Sequence, residues 1–181
     1  MTKTGLSISA LSAALAAALT GCASTMTPQM SAPTVPAAVA VPTGHRVAGM
    51  LKGEGMLTYE CRAGAAGAAA PFAWSPPAPD AVLRESGGAI VGKYYPGPTW
   101  EHNDGSKITG KQLAVSPATT DIPFQLVQAE PATGSGMMMG VSYIQRVNTV
   151  GGTPAGTCEA SNVGAKQQVK YAADYYFYKP S

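Results

Sequence analysis

Short strand-like segments separated by turns make up the chain from residue 44 to its end. Turn residues recur about every 10–15 positions, and Asp104-Gly105 is the strongest hairpin signal because this dipeptide tolerates the positive φ of a tight turn. No stretch of about ten residues in this region has a helical pattern. The spacing predicts an all-β fold, a single antiparallel β-sandwich or barrel of about 8–10 strands, and periodicity leaves sandwich and barrel both open.

The first 21 residues have the form of an export signal. Lys3 supplies a positive charge, and the apolar stretch from Leu6 to Leu19 follows. Its length suits a signal peptide, because a membrane-spanning helix needs about 20 residues. We therefore expect residues 1–21 to be removed on export.

The end of this leader, Leu19-Thr20-Gly21-Cys22, resembles the lipobox of bacterial lipoproteins. Small residues let a peptidase approach the backbone, and the Cys22 thiol would take the diacylglyceryl group. Several acyl chains such as palmitate would hold the protein in a bilayer, since each buried CH₂ contributes about 0.8 kcal/mol. Ala23 in place of Asp favours the outer membrane, by resemblance to lipoprotein sorting. The alternative is an ordinary signal peptide with an incidental cysteine.

The next segment differs sharply from the rest of the chain. Residues 22–43 carry no charge and contain four prolines, Pro28, Pro33, Pro36 and Pro42. Such a composition predicts a disordered tether behind the lipidated cysteine. Residues 44–181 are long enough for one domain with its own core.

Two cysteines remain besides Cys22, namely Cys61 and Cys158. An isolated pair in an exported protein predicts a disulfide. Two free thiols, or a redox pair, are the alternatives.

Charge and motifs exclude several classes of function. The chain has 12 Lys+Arg and 10 Asp+Glu, with no basic run or stripe, which argues against nucleic acid as a partner. It lacks a nucleophile elbow, a phosphate-binding loop and a zinc-protease motif, and we expect no cofactor and no metal. The two histidines are His45 and His102.

Gly97 to Glu101 is the densest local motif. A turn feeding an aromatic residue and a carboxylate suits a binding platform, in which Trp100 would stack on a flat apolar face and Glu101 would accept hydrogen bonds. The structural alternative places Trp100 in the core and pairs Glu101 with a cation such as Arg146. The adjacent Tyr94 and Tyr95 either line a cavity or cover a surface.

Arg146 lies in a long apolar strand, two residues before Asn148. A guanidinium there is either the partner of an internal carboxylate or an anchor for an anion. Because an unpaired buried charge is unfavourable, we expect a partner among Glu101, Asp104 and Asp174.

Catalytic and metal-binding alternatives have weaker support. Glu101 with Asp104 or His102 would make an acid/base pair for a hydrolase. His102 and Asp104 lack the companion ligands of a zinc site. Met137-Met138-Met139 suggests Cu(I) ligands, but adjacent strand residues point to opposite faces, which favours core packing.

Several longer motifs together resemble the family DUF3455, a bacterial and fungal domain of unknown function. They are Tyr59-Glu60-Cys61, Phe72-Ala73-Trp74, Val91 to Glu101, Asp104-Gly105-Ser106, Ile122-Pro123-Phe124, Val141 to Gly152 and Tyr171 to Tyr178. The resemblance runs from about residue 44 to 179, and Cys61 and Cys158 fall where the family has cysteines. It implies a secreted all-β domain with no established activity. Family members often have His-Tyr at the position of Tyr94-Tyr95, so the resemblance does not carry over a His-based role to this position.

We therefore expect a lipid-anchored envelope protein with a non-catalytic ligand- or partner-binding β-domain. Its partners would be the membrane, through the anchor, and a small molecule or glycan. The expected binding residues are Tyr94, Tyr95, Trp100, Glu101, Arg146 and Asn148. The alternatives are the hydrolase above and a purely structural envelope component.

Overall fold

The computed structural model describes residues 1–2, 30–65 and 70–181, so Cys22 and all but the first two residues of the predicted signal peptide lie outside the described residues. Nine strands make up most of the described chain: β1 His45–Ala63, β2 Phe72–Trp74, β3 Ala78–Arg84, β4 Ile90–Tyr95, β5 Thr99–His102, β6 Lys107–Ser116, β7 Phe124–Ala129, β8 Tyr143–Gly151 and β9 Lys166–Pro180. Two 3-10 turns, Ala37–Val39 and Ala160–Asn162, complete it. The all-β prediction is confirmed. Within these residues no helix is long and apolar enough to cross a membrane.

The strands form one antiparallel sheet that closes on itself. Neighbours from β3 to β9 pair in sequence order, and β1 pairs with β3 on one side and with β9 on the other. The short strand β2 adds to the far end of β1. The choice between sandwich and barrel is thus resolved as a closed eight-stranded barrel with β2 as an appendage, because the long strands β1 and β9 pair with each other along most of their length.

Alternate side chains of each strand fill the barrel interior. Trp100 is fully buried there, stacks on Tyr94 with ring centroids 4.7 Å apart, and meets Tyr175 edge-on at 5.6 Å. Gly53 makes room for this cluster, since a Cβ on it would lie 2.5 Å from a ring carbon of Tyr175. The remaining buried members of this core include Leu51, Leu57, Leu83, Ile108, Val127, Ile144 and Phe177. The interior is therefore a packed core and not an empty channel.

One end of the barrel is sealed at the β5–β6 turn. Asp104 in that turn accepts hydrogen bonds from Ser106 N (2.8 Å), Ser106 Oγ (2.6 Å) and Met137 N (2.7 Å). Met138 follows on the same loop and is fully buried in the core. The loop thus plugs this end, which we call the sealed end.

A disulfide joins Cys61 of β1 to Cys158, as the sequence predicts. It ties the segment between β8 and β9 to the end of β1. Asn162 supports that segment, since its side chain accepts a hydrogen bond from Glu159 N and donates one to Thr157 O.

The segment before β1 packs on the outside of the barrel. Val39 is fully buried, and its carbonyl accepts a hydrogen bond from Gln145 Nε2 at 2.6 Å. The prediction of a disordered tether over residues 22–43 is wrong for Ala37–Val39, which form a turn attached to the barrel, while residues 22–29 lie outside the described residues. Gln145 is buried on the outer face and needs this partner, a contact that the composition of the segment did not show.

Candidate functional site

The end of the barrel opposite the sealed end, where β4 turns into β5, opens into a cavity of about 710 Å³. We call it the mouth cavity. Its walls are mostly apolar and rich in proline: Tyr59, Pro76, Pro77, Ala78, Pro79, Tyr94, Pro96, Gly97, Pro98, Gly110, Gln112, Val115, Ile122, Pro123, Gln125 and Arg146. The stacked pair of Tyr94 and Trp100 places the fully buried Trp100 beneath the wall that Tyr94 forms.

Among the described residues, Arg146 is the one charged residue that lines the mouth cavity. It shares the interior face of β8 with the core residue Ile144, because strand side chains alternate. Its strand neighbours in register are Gln125 on β7 and Tyr175 on β9. It is 8% exposed, and its Nε and Nη2 both donate to the carbonyl oxygen of Pro123, at 3.2 and 2.9 Å.

The predicted carboxylate partner of Arg146 is wrong. Glu101 pairs with Lys93, Asp104 holds the sealed end, and Asp174 accepts a hydrogen bond from Asn148. All ten Asp and Glu residues of the chain lie in the described part, and none has an oxygen within 4.0 Å of the Arg146 guanidinium. A nearly buried positive charge therefore faces the mouth cavity without an opposite charge, an arrangement whose desolvation penalty is of the order of several kcal/mol.

Four tyrosine hydroxyl groups surround this charge. Burial raises the pKa of Tyr59, Tyr94, Tyr171 and Tyr175, and the positive charge of Arg146 acts against each rise. Tyr59 Oη donates to the carbonyl of Gly152 at 2.5 Å, and the hydroxyls of Tyr171 and Tyr175 lie 3.3 Å apart. The phenols stay neutral at physiological pH, so they are hydrogen-bond donors and not bases.

The polar part of the cavity wall is small. Gln125 Nε2 donates to Gln112 Oε1 at 2.6 Å, and both side chains are on the wall. Together with Arg146 and the wall tyrosines Tyr59 and Tyr94, they offer several directional contacts on a largely apolar surface. Ligand pockets commonly combine these two features.

The six residues predicted as one binding site do not come together. Tyr94 and Arg146 line the mouth cavity, whereas Trp100 is sealed in the core and is no stacking platform. The hydrogen bond from Tyr95 Oη to Glu101 Oε2 (2.6 Å) lies outside the cavity wall, and so does the bond from Asn148 to Asp174 (2.8 Å).

The residues of the hydrolase alternative are also occupied elsewhere. The hydrogen bond from Tyr95 and the charge of Lys93 lower the pKa of Glu101. At the sealed end, burial would raise the pKa of Asp104, but hydrogen bonds from Ser106 and Met137, with the charge of His102, lower it to about 2. No hydrogen bond or ion pair joins Glu101 to either residue in the described part of the chain.

Metal ligands are likewise not grouped. No set of three His, Cys, Asp or Glu residues among those described is placed to hold a metal ion. Of the three methionines, Met138 is fully buried and Met139 is 39% exposed, so the run is divided between core and surface.

Sequence reasoning missed Tyr59, Gln112, Pro123 and Gln125. They come from three parts of the chain, β1, β6 and the start of β7, and meet at the mouth because the strands close into a barrel. The alternation of β1 does place Tyr59 on the interior face with Leu57, and this was the one available signal. Nothing local marks the two glutamines.

Comparison with known proteins gives one match. The family model described as "Protein of unknown function (DUF3455)" matches residues 81–179, from β3 to the end of β9. No curated protein and no solved structure matches the chain significantly. The matched region contains Tyr94, Pro123 and Arg146, whereas Tyr59 and the other resembling motifs before β3 lie outside it. Because the match covers more than half of the 181 residues, the chain belongs to the DUF3455 family.

Proposed function

We propose that this protein is a non-catalytic binding protein that takes a small molecule into the mouth cavity of its barrel. The observation that carries the proposal is Arg146, nearly buried and without a carboxylate partner, on the wall of a cavity of about 710 Å³. That volume lies within the roughly 300–1,000 Å³ of small-molecule sites.

The chemistry of the wall favours binding over acid/base catalysis. An arginine stays protonated in proteins, and phenols with raised pKa values stay neutral, so neither takes a proton from a substrate near pH 7. No Asp, Glu or His lines the wall among the residues that the structure describes. Apolar and proline surfaces would contact the body of the ligand, and the few polar groups would orient it.

A neutral fluorescent dye tests this site. We expect N-phenylnaphthylamine to bind the full chain carrying Cys22→Ala, which leaves no acyl chain to compete for the dye. Gln112→Trp should fill the cavity and weaken dye binding at least tenfold, about 1.4 kcal/mol. The matched control is Leu113→Trp, since Leu113 is 52% exposed and not on the cavity wall.

Equal binding by both tryptophan variants and the parent chain would place the dye elsewhere and contradict the proposal. Absence of binding by the parent chain would leave the structural envelope component as the better description.

The proposal includes a place in the cell envelope. Support comes from the sequence: the leader, the lipobox ending at Cys22, and Ala23 after it. We expect the wild-type chain in the outer-membrane fraction. Cys22→Ala should release it without changing its thermal unfolding, while Ser24→Ala should leave it bound. A Cys22→Ala chain that stays in the membrane fraction would show that Cys22 is not the anchor.

A further inference from the structure

We propose that the mouth cavity selects amphipathic organic anions, with an oxyanion head group such as a carboxylate bound by Arg146. The inference rests on the proposed function and adds the chemical class of the ligand. Within the part of the chain that the structure describes, Arg146 is the single charged residue of the cavity wall, and no carboxylate pairs with it. A ligand that brings one negative charge would supply the missing partner.

The guanidinium of Arg146 has hydrogen-bond donors to spare. A guanidinium has five N–H groups in a planar fork. The Pro123 carbonyl accepts from Nε and Nη2, and apart from the Tyr175 hydroxyl close by, no other acceptor among the described residues engages the guanidinium. Two oxygens of a carboxylate match that fork in a bidentate pair, which is shorter and stronger than a bond between neutral groups.

Tyr94 lines the cavity together with Arg146, and its buried phenol keeps its proton, so it can donate to an oxyanion without repelling it. Fixed donors and a positive charge in a partly enclosed, low-dielectric site favour an anion more than the same groups do in water.

The apolar part of the wall would contact the body of the ligand. Tyr94 and Ile122 contribute to it, together with six prolines of the described chain: Pro76, Pro77, Pro79, Pro96, Pro98 and Pro123. A small, fully hydrated ion such as inorganic phosphate would leave this surface uncovered. A ligand with one charged end and an apolar remainder uses both halves of the wall.

Two dyes with the same aromatic body provide the test. N-phenylnaphthylamine is neutral, and anilinonaphthalenesulfonate carries one negative charge. In the full chain with Cys22→Ala we expect the anion to bind at least tenfold more tightly. Arg146→Met should remove that advantage and leave the affinity for the neutral dye within about twofold. Arg146→Lys, which keeps the charge but loses the fork, should fall between them.

Arg84→Met is the matched control, because it removes the same charge from a residue paired with Glu54 on the outer surface. Its dye affinities should equal those of the parent. Thermal unfolding of each variant shows that a lost signal is not a lost fold. The dye comparison in the parent chain needs no variant at all.

Displacement of the neutral dye tests whether the cavity prefers a carboxylate head group. Dodecanoate should displace it at a concentration at least tenfold lower than methyl dodecanoate does. Equal displacement, or an Arg146→Met chain that binds the sulfonate as the parent does, would overturn the anion inference while leaving the cavity as a neutral site. If neither dye responds to Gln112→Trp, the proposed function fails as well.

Discussion

The two ends of the barrel differ in how completely they satisfy the hydrogen bonds of a charged side chain. At the sealed end Asp104 has each oxygen engaged, by Ser106 and by Met137 and His102. At the mouth Arg146 shares one carbonyl oxygen between two of its nitrogens and faces a cavity. Saturated hydrogen bonding favours a single rigid arrangement, whereas unsaturated bonding at a cavity leaves interactions for a ligand. We infer that the bonds of Asp104 stabilise the sealed end, whereas Arg146 at the mouth keeps the capacity to bind a ligand.

The largest expected loss of stability comes from removing the Cys61–Cys158 disulfide near the mouth. Replacing Cys61 and Cys158 together by alanine opens a loop with a sequence separation of 97 residues, and the chain-entropy model gives a loss of about 4–5 kcal/mol in the free energy of unfolding. Urea unfolding under oxidising conditions measures it. A loss well below about 1 kcal/mol would show that the barrel alone holds this end, and that the disulfide adds little to it.

Asp104→Ala tests the sealed end. The substitution leaves Ser106 and Met137 donors without their acceptor, and we expect a loss of roughly 2–3 kcal/mol in the free energy of unfolding. Ser106→Ala is the companion variant and should lose less, since it keeps the Met137 bond. An unchanged urea midpoint for Asp104→Ala would contradict the assignment of stability to this end.

Asp104 should also make the stability of the protein depend on pH. The pKa of Asp104 is about 2 in the folded chain, below its ordinary 3.8, so folding favours the ionised form. Its contribution is present above about pH 4 and is lost as the pH falls towards 2. The stability gap between the wild-type chain and Asp104→Ala should therefore narrow over that interval. A gap that stays constant down to pH 2 would mean that the carboxylate charge is not what the loop recognises.

Arg146→Met should change the free energy of unfolding much less than Asp104→Ala does. The change can be a small gain or a small loss. The variant removes an uncompensated buried charge along with two bonds to one carbonyl, and replacing a buried charge by an apolar side chain of similar size is often neutral or stabilising. Urea unfolding without ligand should therefore change by less than about 1 kcal/mol. A loss as large as that of Asp104→Ala would show that Arg146 is a structural element of the mouth, and the contrast between the ends would disappear.

Glu101→Gln should have the smallest effect of all. Glu101 lies on the outside of the barrel, in a partly exposed cluster with Lys93 and Tyr95, and pairs of this kind contribute little. We expect no measurable change in the thermal midpoint or in dye binding. A change in dye affinity would return Glu101 to the binding site and move that site away from the mouth.

Local patterns were sufficient for some parts of the fold. The Asp104-Gly105 turn lies between β5 and β6 as predicted, because a tight turn depends on the backbone preferences of adjacent residues. The Cys61–Cys158 bond followed from a count of cysteines in a chain that is predicted to be exported. Residues 37–39 were misassigned because their burial depends on Gln145, far along the chain.

The sequence by itself determined that this protein is all-β, that two of its cysteines pair, and that it has the motifs of its family. These follow from periodicity, turn chemistry and composition, which act over a few residues. The tertiary structure decided that β1 pairs with β9, that Trp100 is sealed, and that Arg146 faces a cavity without a carboxylate. The environment of a buried charge depends on residues from strands that are far apart in the sequence. Closure of the barrel therefore turned an expected ion pair into a candidate binding site.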